Sequence, residues 1–313
     1  MNIKELIVRY GVVARRRFYS KEKLRFLRGA VQEFEDAGMG TVVKEAESLQ
    51  RKAYNLYVGD LVKSNLIIST YYDTPPKTFG LIKHKVFHPE NDRLSFIISI
   101  LVPILFLALI FALLIKPLFA PVFSDGVIGY KDVLAMIPAL IIVFFIIHFK
   151  NGIGNTSNFK RNTSSIITCI YFIQTIQKKM RNNVGIVFTD FGCINHFGDE
   201  MLCSELKENA SKKTVILLDC LGGSDEVNII YRRSVSATID KVRAFAENKK
   251  INFKEISNDD KRFYSIFEKS IIITSGKFSG DDVFIGKVNT LRDNDINEDG
   301  IILVTELLKE FVR

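Results

Sequence analysis

The feature that most restricts this chain is a run of 22 residues, Leu94 to Ile115 (LSFIISILVPILFLALIFALLI), with no charged side chain. At about 1.5 Å per residue a helix of that length covers about 33 Å, enough to cross the hydrocarbon of a bilayer. A soluble helix this long needs a polar face, and this run has none. A second run, Val133 to Phe149 (VLAMIPALIIVFFIIHF), is shorter and carries only His148 near its end. Pro103 and Pro138 would kink a water-exposed helix, but membrane helices tolerate proline. Joined by the short segment KPLFAPVFSDGVIGYKD, the two runs predict a transmembrane hairpin over residues 94–149.

Lysine and arginine orient the hairpin. Lys77, Lys83, Lys85 and Arg93 precede it, Lys150, Lys160 and Arg161 follow it, and the connecting loop holds only Lys116 and Lys131. Both large flanks, residues 1–93 and 150–313, are therefore expected in the cytoplasm of a two-span cell-membrane protein, with the tip around Ser124–Gly129 outside. The amino terminus lacks an uninterrupted apolar core and does not read as a signal peptide. Cys169, Cys193, Cys203 and Cys220 show no metal spacing and suit a reducing compartment.

The net charge of +8 is concentrated at one end. Residues 1–30 hold nine Lys/Arg against two Glu, interleaved with Phe18, Leu24, Phe26 and Leu27. That pattern predicts a basic helix on anionic headgroups, with an ordinary solvated basic face as the alternative. No nucleic-acid-binding module accompanies the charge, so nucleic acid is not an expected partner.

Helices are expected at Ser20–Ala37, Ser164–Met180, Gly198–Asn209, Val235–Asn248 and Ile301–Val312. Strands are expected at Thr41–Leu49, Ala53–Val58, Asn65–Thr70, Val184–Thr189, Thr214–Asp219 and Ile271–Ser275. Such alternation predicts an α/β three-layer sandwich with a largely parallel central sheet. Both flanks supply strands, so one cytoplasmic domain is interrupted by the hairpin.

The strand ends carry a series of short motifs: YYDTPP, then KRNTSS opening a helix, then FTDFG, LLDCLGG and finally VNTLRDN. In order and spacing the series resembles the di-zinc aminopeptidase family, the co-catalytic zinc exopeptidases that include leucyl aminopeptidases and glutamate carboxypeptidase. The resemblance spans nearly the whole chain outside the hairpin. It implies a zinc-exopeptidase fold whose metal site is degenerate. Tyr71 takes the place of the first histidine ligand, and Asp73 that of its orienting aspartate. Lys160, two residues before Asn162, takes the place of the bridging aspartate. Asn162 and Ser164 are kept, and Ser165 replaces a glycine. The Glu-Glu pair, base and ligand, falls near Phe191 and Gly192, with Asp190 adjacent. Asp219 keeps the aspartate ligand, and Asn289 replaces the last histidine.

Two zinc ions need several anionic or imidazole ligands, and hydrolysis needs a carboxylate to take a proton from metal-bound water. The resemblance thus implies no zinc, no catalytic residue and no other cofactor. Lys160 is expected to pair with Asp219 or Asp73, and Asp73 to be a remnant holding a turn or an ion pair. His196 is a candidate ligand beside Asp190, Asp199 or Glu200, though a lone histidine more often packs. His84 and His88 read as interfacial, Cys220 as a nucleophile without a paired histidine, and DNDINEDG (293–300) as a polar turn. The functional expectation is a membrane-anchored pseudopeptidase binding a peptide or a membrane partner. An active metallohydrolase rebuilt on Asp73, Asp190, Asp219 and His196, and an accessory subunit of a membrane transporter, are the alternatives.

Overall fold

The computed structural model describes residues 2–48, 51–78, 80, 84–115, 130–149, 152–257, 266–280 and 282–313. The expected hairpin tip at 116–129 lies outside them, as do Leu49, Lys83 and Lys150. In chain order the elements are α1 (Ile3–Leu6), α2 (Ser20–Asp36), β1 (Thr41–Ser48), β2 (Arg51–Val58), β3 (Leu66–Tyr71), β4 (His84–Lys85) and α3 (Pro89–Ile110). There follow α4 (Tyr130–Phe149), α5 (Ser164–Thr175), α6 (Lys178–Arg181), β5 (Val184–Thr189), α7 (Phe197–Leu206), β6 (Thr214–Asp219) and β7 (Val227–Arg232). The rest are α8 (Ser236–Ala246), β8 (Ile251–Ile256), β9 (Ser270–Ser275), β10 (Lys277–Ser279), β11 (Asp282–Ile285) and α9 (Glu298–Val312).

Eight strands form one sheet in the order β1-β2-β5-β3-β6-β9-β7-β8. Its middle is parallel: β3 pairs with β5 on one side and β6 on the other, and β6 pairs with β9. β3, β5 and β9 are buried along their whole length, as continuous apolar strands covered on both faces should be. The sheet is more mixed than expected, because β1–β2, β2–β5 and β9–β7 pair antiparallel. β3 precedes the apolar runs and both its neighbours follow them, so the two flanks share one sheet.

On one face, α2, α5, α8 and α9 pack over Ile68, Ile186, Phe188, Ile216 and Ile273. On the other, Leu202 and Leu206 of α7 cover Ile67, Val187 and Val215. A second, antiparallel sheet, β10-β11-β4, packs Val283 and Ile285 against Ile230 and Ile272. β4, β7, β8, β10 and β11 were not expected from the sequence. β8 (INFKEI) puts charged residues in an edge strand, and β4 is only two residues long.

α2 departs from the membrane-surface expectation. It buries Phe26, Leu27, Ala30 and Phe34 at helical spacing, each large side chain removing about 1.5–3 kcal/mol of apolar exposure from water. Glu22 accepts from the backbone N–H groups of Phe18 and Tyr19 at its start, and Gly38, at φ +79°, closes its end. Arg17 just before it is fully buried. Its guanidinium donates to the carbonyls of Tyr72, Tyr10 and Ala14 and to Asn162 and Thr163, at 2.7–3.1 Å. The apolar face of this basic segment is spent on the protein core, not on lipid.

α3 is the opposite case. Glu90–Leu113 is long and apolar enough to cross a membrane, yet only 6% of its most apolar stretch is buried, which excludes a core helix. α4 is apolar too, but its exposed apolar stretch, Met136–Ile147, is shorter than a span by the same measure.

Candidate functional site

Parallel pairing lines up strand ends. Tyr71 closes β3 level with Thr189 of β5, and Asp219 closes β6 level with Thr274 of β9. Over this rim lie β4, the first turn of α3 and a π-helical turn, Phe159–Thr163, that leads into α5. The turn is held by Asp293, whose carboxylate accepts from the backbone N–H of Lys160 (2.7 Å) and of Arg161 (3.1 Å). Burial pushes the Asp293 carboxyl up to about 6, although those two bonds pull the other way. DNDINEDG is therefore more than a turn: it positions Arg161.

The Arg161 guanidinium sits at the centre of the crevice. Its Nη2 stands 2.8 Å from Asp92 Oδ2, and its Nη1 3.4 Å from Asp219 Oδ1. Its plane lies over the Tyr71 ring, 4.8 Å from the centroid. His84 Nδ1 donates to Asp92 (2.9 Å), leaving Nε2 to face Arg161 Nη1 (2.9 Å) and Asp219 Oδ2 (3.5 Å). Asn289 Nδ2 donates to Asp92 Oδ1 (3.2 Å), and the Tyr71 hydroxyl donates to Asp219. Burial alone would raise the Asp219 carboxyl; Arg161, His84 and Tyr71 outweigh it and hold the group well below the usual carboxylate range. Burial and the adjacent Asp219 charge push the Tyr71 phenol far up, against the opposing Arg161 charge. Beside this network lies a narrow cavity of about 60 Å³, lined among others by Ser69, Tyr71, His196, Leu217 and Ile272. That is space for a few waters.

The sequence-derived site residues divide. Tyr71, Asp219 and Asn289 meet here. Lys160 does not: its ammonium pairs with the exposed Asp295 (2.7 Å), not with Asp219 or Asp73. The cation facing Asp219 is its neighbour Arg161. His84 is not interfacial but inside the network. Asp92 was missed altogether, since an acid two residues before an apolar run reads as flank. His88 lies apart, between Glu90 (2.6 Å) and Asp282 (3.4 Å).

Gly192 is packed directly against Tyr71. A Cβ on Gly192 would stand 2.1 Å from the Tyr71 Cβ. No side chain fits there while Tyr71 holds its place.

Asp73 and Asp190 belong to a separate cluster under α2. Lys23 forms an ion pair with Asp190 and lies 4.0 Å from the Phe191 ring centroid. Asp190 also accepts from the backbone N–H groups of Tyr54 (3.1 Å) and Phe191 (2.8 Å). Asp73 is 1% exposed, and among the described residues its carboxylate receives only long bonds from Cys193 N–H, 3.4 Å to each oxygen. Burial, reinforced by Asp190 and opposed by Lys23, pushes it up to about 6. His196 pairs with Asp199 (3.1 Å), not with Asp190.

Zinc does not fit these residues. Among the described residues, the grouping with donor atoms close enough for a metal is His84, Asp219 and Cys220, within 4.8 Å of one another. Arg161 Nη1 lies 2.9 Å from His84 Nε2, 3.4 Å from Asp219 Oδ1 and 3.4 Å from Cys220 Sγ. A fixed positive charge already faces all three, and a dication there would meet it within contact distance.

No family model and no curated protein matches the chain. Solved structures do. A Zn-dependent exopeptidase from Parabacteroides distasonis superposes with a TM-score of 0.61 at 12% identity, covering 99% of this chain and 97% of that one. A glutaminyl cyclase from Porphyromonas gingivalis gives 0.58 at 12% identity, with the same coverage. A leucine aminopeptidase precursor from Bacteroides thetaiotaomicron gives 0.54 at 13% identity, covering 99% and 96%. At such identities the likeness speaks for the fold alone, and that fold is the zinc-exopeptidase, aminopeptidase-like one.

Proposed function

We propose that this chain is a membrane-anchored, peptidase-like protein without hydrolytic chemistry, whose crevice grips a peptide or a partner protein at the bilayer. One observation carries the reading. The Arg161 guanidinium fills the place between Asp92 and Asp219. The protein then needs neither zinc nor another cofactor. Its α3 and α4 form the anchor, with the large flanks in the cytoplasm and the tip outside. A peptidase-like fold held at a membrane would suit a role in a peptide maturation or export complex. The rebuilt-hydrolase alternative needs Asp73, Asp190, Asp219 and His196 to converge, whereas Asp73 and Asp190 lie with Lys23 and His196 lies with Asp199.

Purified in mild detergent without chelator, the protein should hold well under one zinc per chain. It should neither release residues from peptides nor cyclise amino-terminal glutamine. About two zinc ions per chain together with chelator-sensitive turnover would overturn the reading. For the anchor, single cysteines at Ser124 and Ser257 in a cysteine-free background can be probed with an impermeant thiol reagent. Labelling at 124 alone in intact cells is expected; labelling at 257 alone means an inverted orientation.

A further inference from the structure

The Asp92 carboxylate is held by three donors from three different segments: Arg161 Nη2 (2.8 Å), His84 Nδ1 (2.9 Å) and Asn289 Nδ2 (3.2 Å). Arg161 comes from the turn before α5, His84 from β4 and Asn289 from the loop after β11, all parts of the α/β body. The acceptor alone comes from the apolar helix, in its first turn. A planar guanidinium flanked by two further N–H donors is a carboxylate-shaped receptor.

The receptor also has capacity that Asp92 does not use. Arg161 Nε, Asn289 Oδ1 and Ser69 Oγ are buried and have no hydrogen-bond partner among the described residues. Their residues are 2%, 6% and 0% exposed. Leaving such groups unpaired costs about 1–3 kcal/mol each. Asn289 Oδ1 wants a donor next to the carboxylate that Nδ2 already holds. A peptide's terminal carboxylate carries the N–H of its own residue two bonds away, one bond closer than the N–H of an aspartate stands to its side-chain carboxylate. Ser69 lines the narrow cavity on the β3 side, where the last residue of a ligand would lie.

We propose that Arg161, His84 and Asn289 form a receptor for the carboxylate of a peptide, that Asp92 is its internal occupant, and that a bound peptide takes Asp92's place. Binding then frees the first turn of the apolar helix from the crevice, so occupancy of the site is felt at the membrane end of the molecule. The inference rests on the crevice being a binding site and not a hydrolytic one.

The test uses the full chain in detergent micelles, as wild type, Asp92→Ala and Asp92→Asn. The probes are N-acetyl-Ala-Ala with a free carboxyl terminus, its carboxyl-terminal amide, and N-acetyl-Glu-amide, which presents a side-chain carboxylate only. By calorimetry, Asp92→Ala should bind the free acid about tenfold or more tighter than wild type, and the amide not at all. Weaker binding of N-acetyl-Glu-amide than of the free acid assigns the site to a carboxyl terminus; the reverse order assigns it to an acidic side chain and overturns the terminal assignment. If Asp92→Ala does not fold, Asp92→Asn is read by its melting temperature in acetate against chloride at equal ionic strength. A rise in acetate that wild type lacks is expected. Folded variants indifferent to the free acid, or binding acid and amide alike, would overturn the proposal. Zinc content and hydrolysis are measured on the same samples. A zinc-loaded, active enzyme sinks the non-hydrolytic reading, whereas a zinc-free, inert protein indifferent to carboxylates sinks this inference alone.

Discussion

Two clusters of buried charge lie near the carboxyl ends of the same strands, and they are balanced differently. In the crevice, Asp92 and Asp219 share Arg161 and His84, with Asn289 and Tyr71 as further donors. Under α2, one ammonium, Lys23, pairs with Asp190 and, among the described residues, leaves Asp73 with the Cys193 amide at 3.4 Å. The first cluster keeps Asp219 ionised well below the usual range; the second lets Asp73 rise to about 6. The Asp92 and Asp219 side chains keep 13% and 17% of their surface exposed while Asp73 is 1% exposed, so both the lighter burial and the larger number of donors favour the charged form in the crevice. A buried carboxylate with enough donors stays ionised. One that is a donor short titrates.

The largest effect that contrast predicts is at Arg161. Arg161→Met leaves two carboxylates without their cation and should cost about 3–5 kcal/mol of unfolding free energy, read by denaturant titration in detergent. A cost below about 1 kcal/mol would mean that Asp92 and Asp219 find other partners and the network is not built on the guanidinium.

Next in size is the pH dependence that Asp73 brings to the other cluster. Asp73 holds its proton more tightly when folded (about 6) than its ordinary value of 3.8. Its stabilising contribution is therefore complete below about pH 4 and lost as pH rises through about 6, on the order of 2–3 kcal/mol. Asp73→Asn should be more stable than wild type at pH 7 and lose that advantage near pH 4. Asp293 titrates in the same window, so the wild-type-minus-variant difference is the quantity to plot. A difference that does not change with pH would show that Asp73 is not the donor-poor group.

The smallest effect is at Lys160. Its partner Asp295 has a 58% exposed side chain, and ion pairs of that kind contribute about 0–1 kcal/mol. Lys160→Ala should stay inside that range. A loss as large as that at Arg161 would restore the ordering expected from sequence, with Lys160 as the working cation.

What the sequence made legible follows the physics of each segment. Val184–Thr189 and Ile271–Ser275 are short, bounded apolar runs buried on both faces, and such runs announce themselves. The end of the helix begun at Ser164 was read too far: Ile176 takes an extended backbone (ψ 147°), and the chain turns before Lys178. Tyr71, Asp219 and Asn289 were found because each marks a strand end or a late loop. Arg161 and Asp92 were not, because their contact joins positions 69 residues apart and depends on where α3 leaves the body. Arg17 was read as part of a basic surface. It is a buried tie, its charge shifted down to about 10 by desolvation, and nothing in its neighbours' composition distinguishes it from Arg15 or Arg16.

The Asp92–Arg161 pair is the contact that fills the crevice and ties the apolar helix to it. A double-mutant cycle measures it directly, with Asp92→Asn, Arg161→Met and the double variant unfolded in the same detergent. The double variant should lose far less than the sum of the singles, a coupling of about 2 kcal/mol or more. Additivity within about 0.5 kcal/mol would contradict it and leave the crevice without the charge that is said to occupy it.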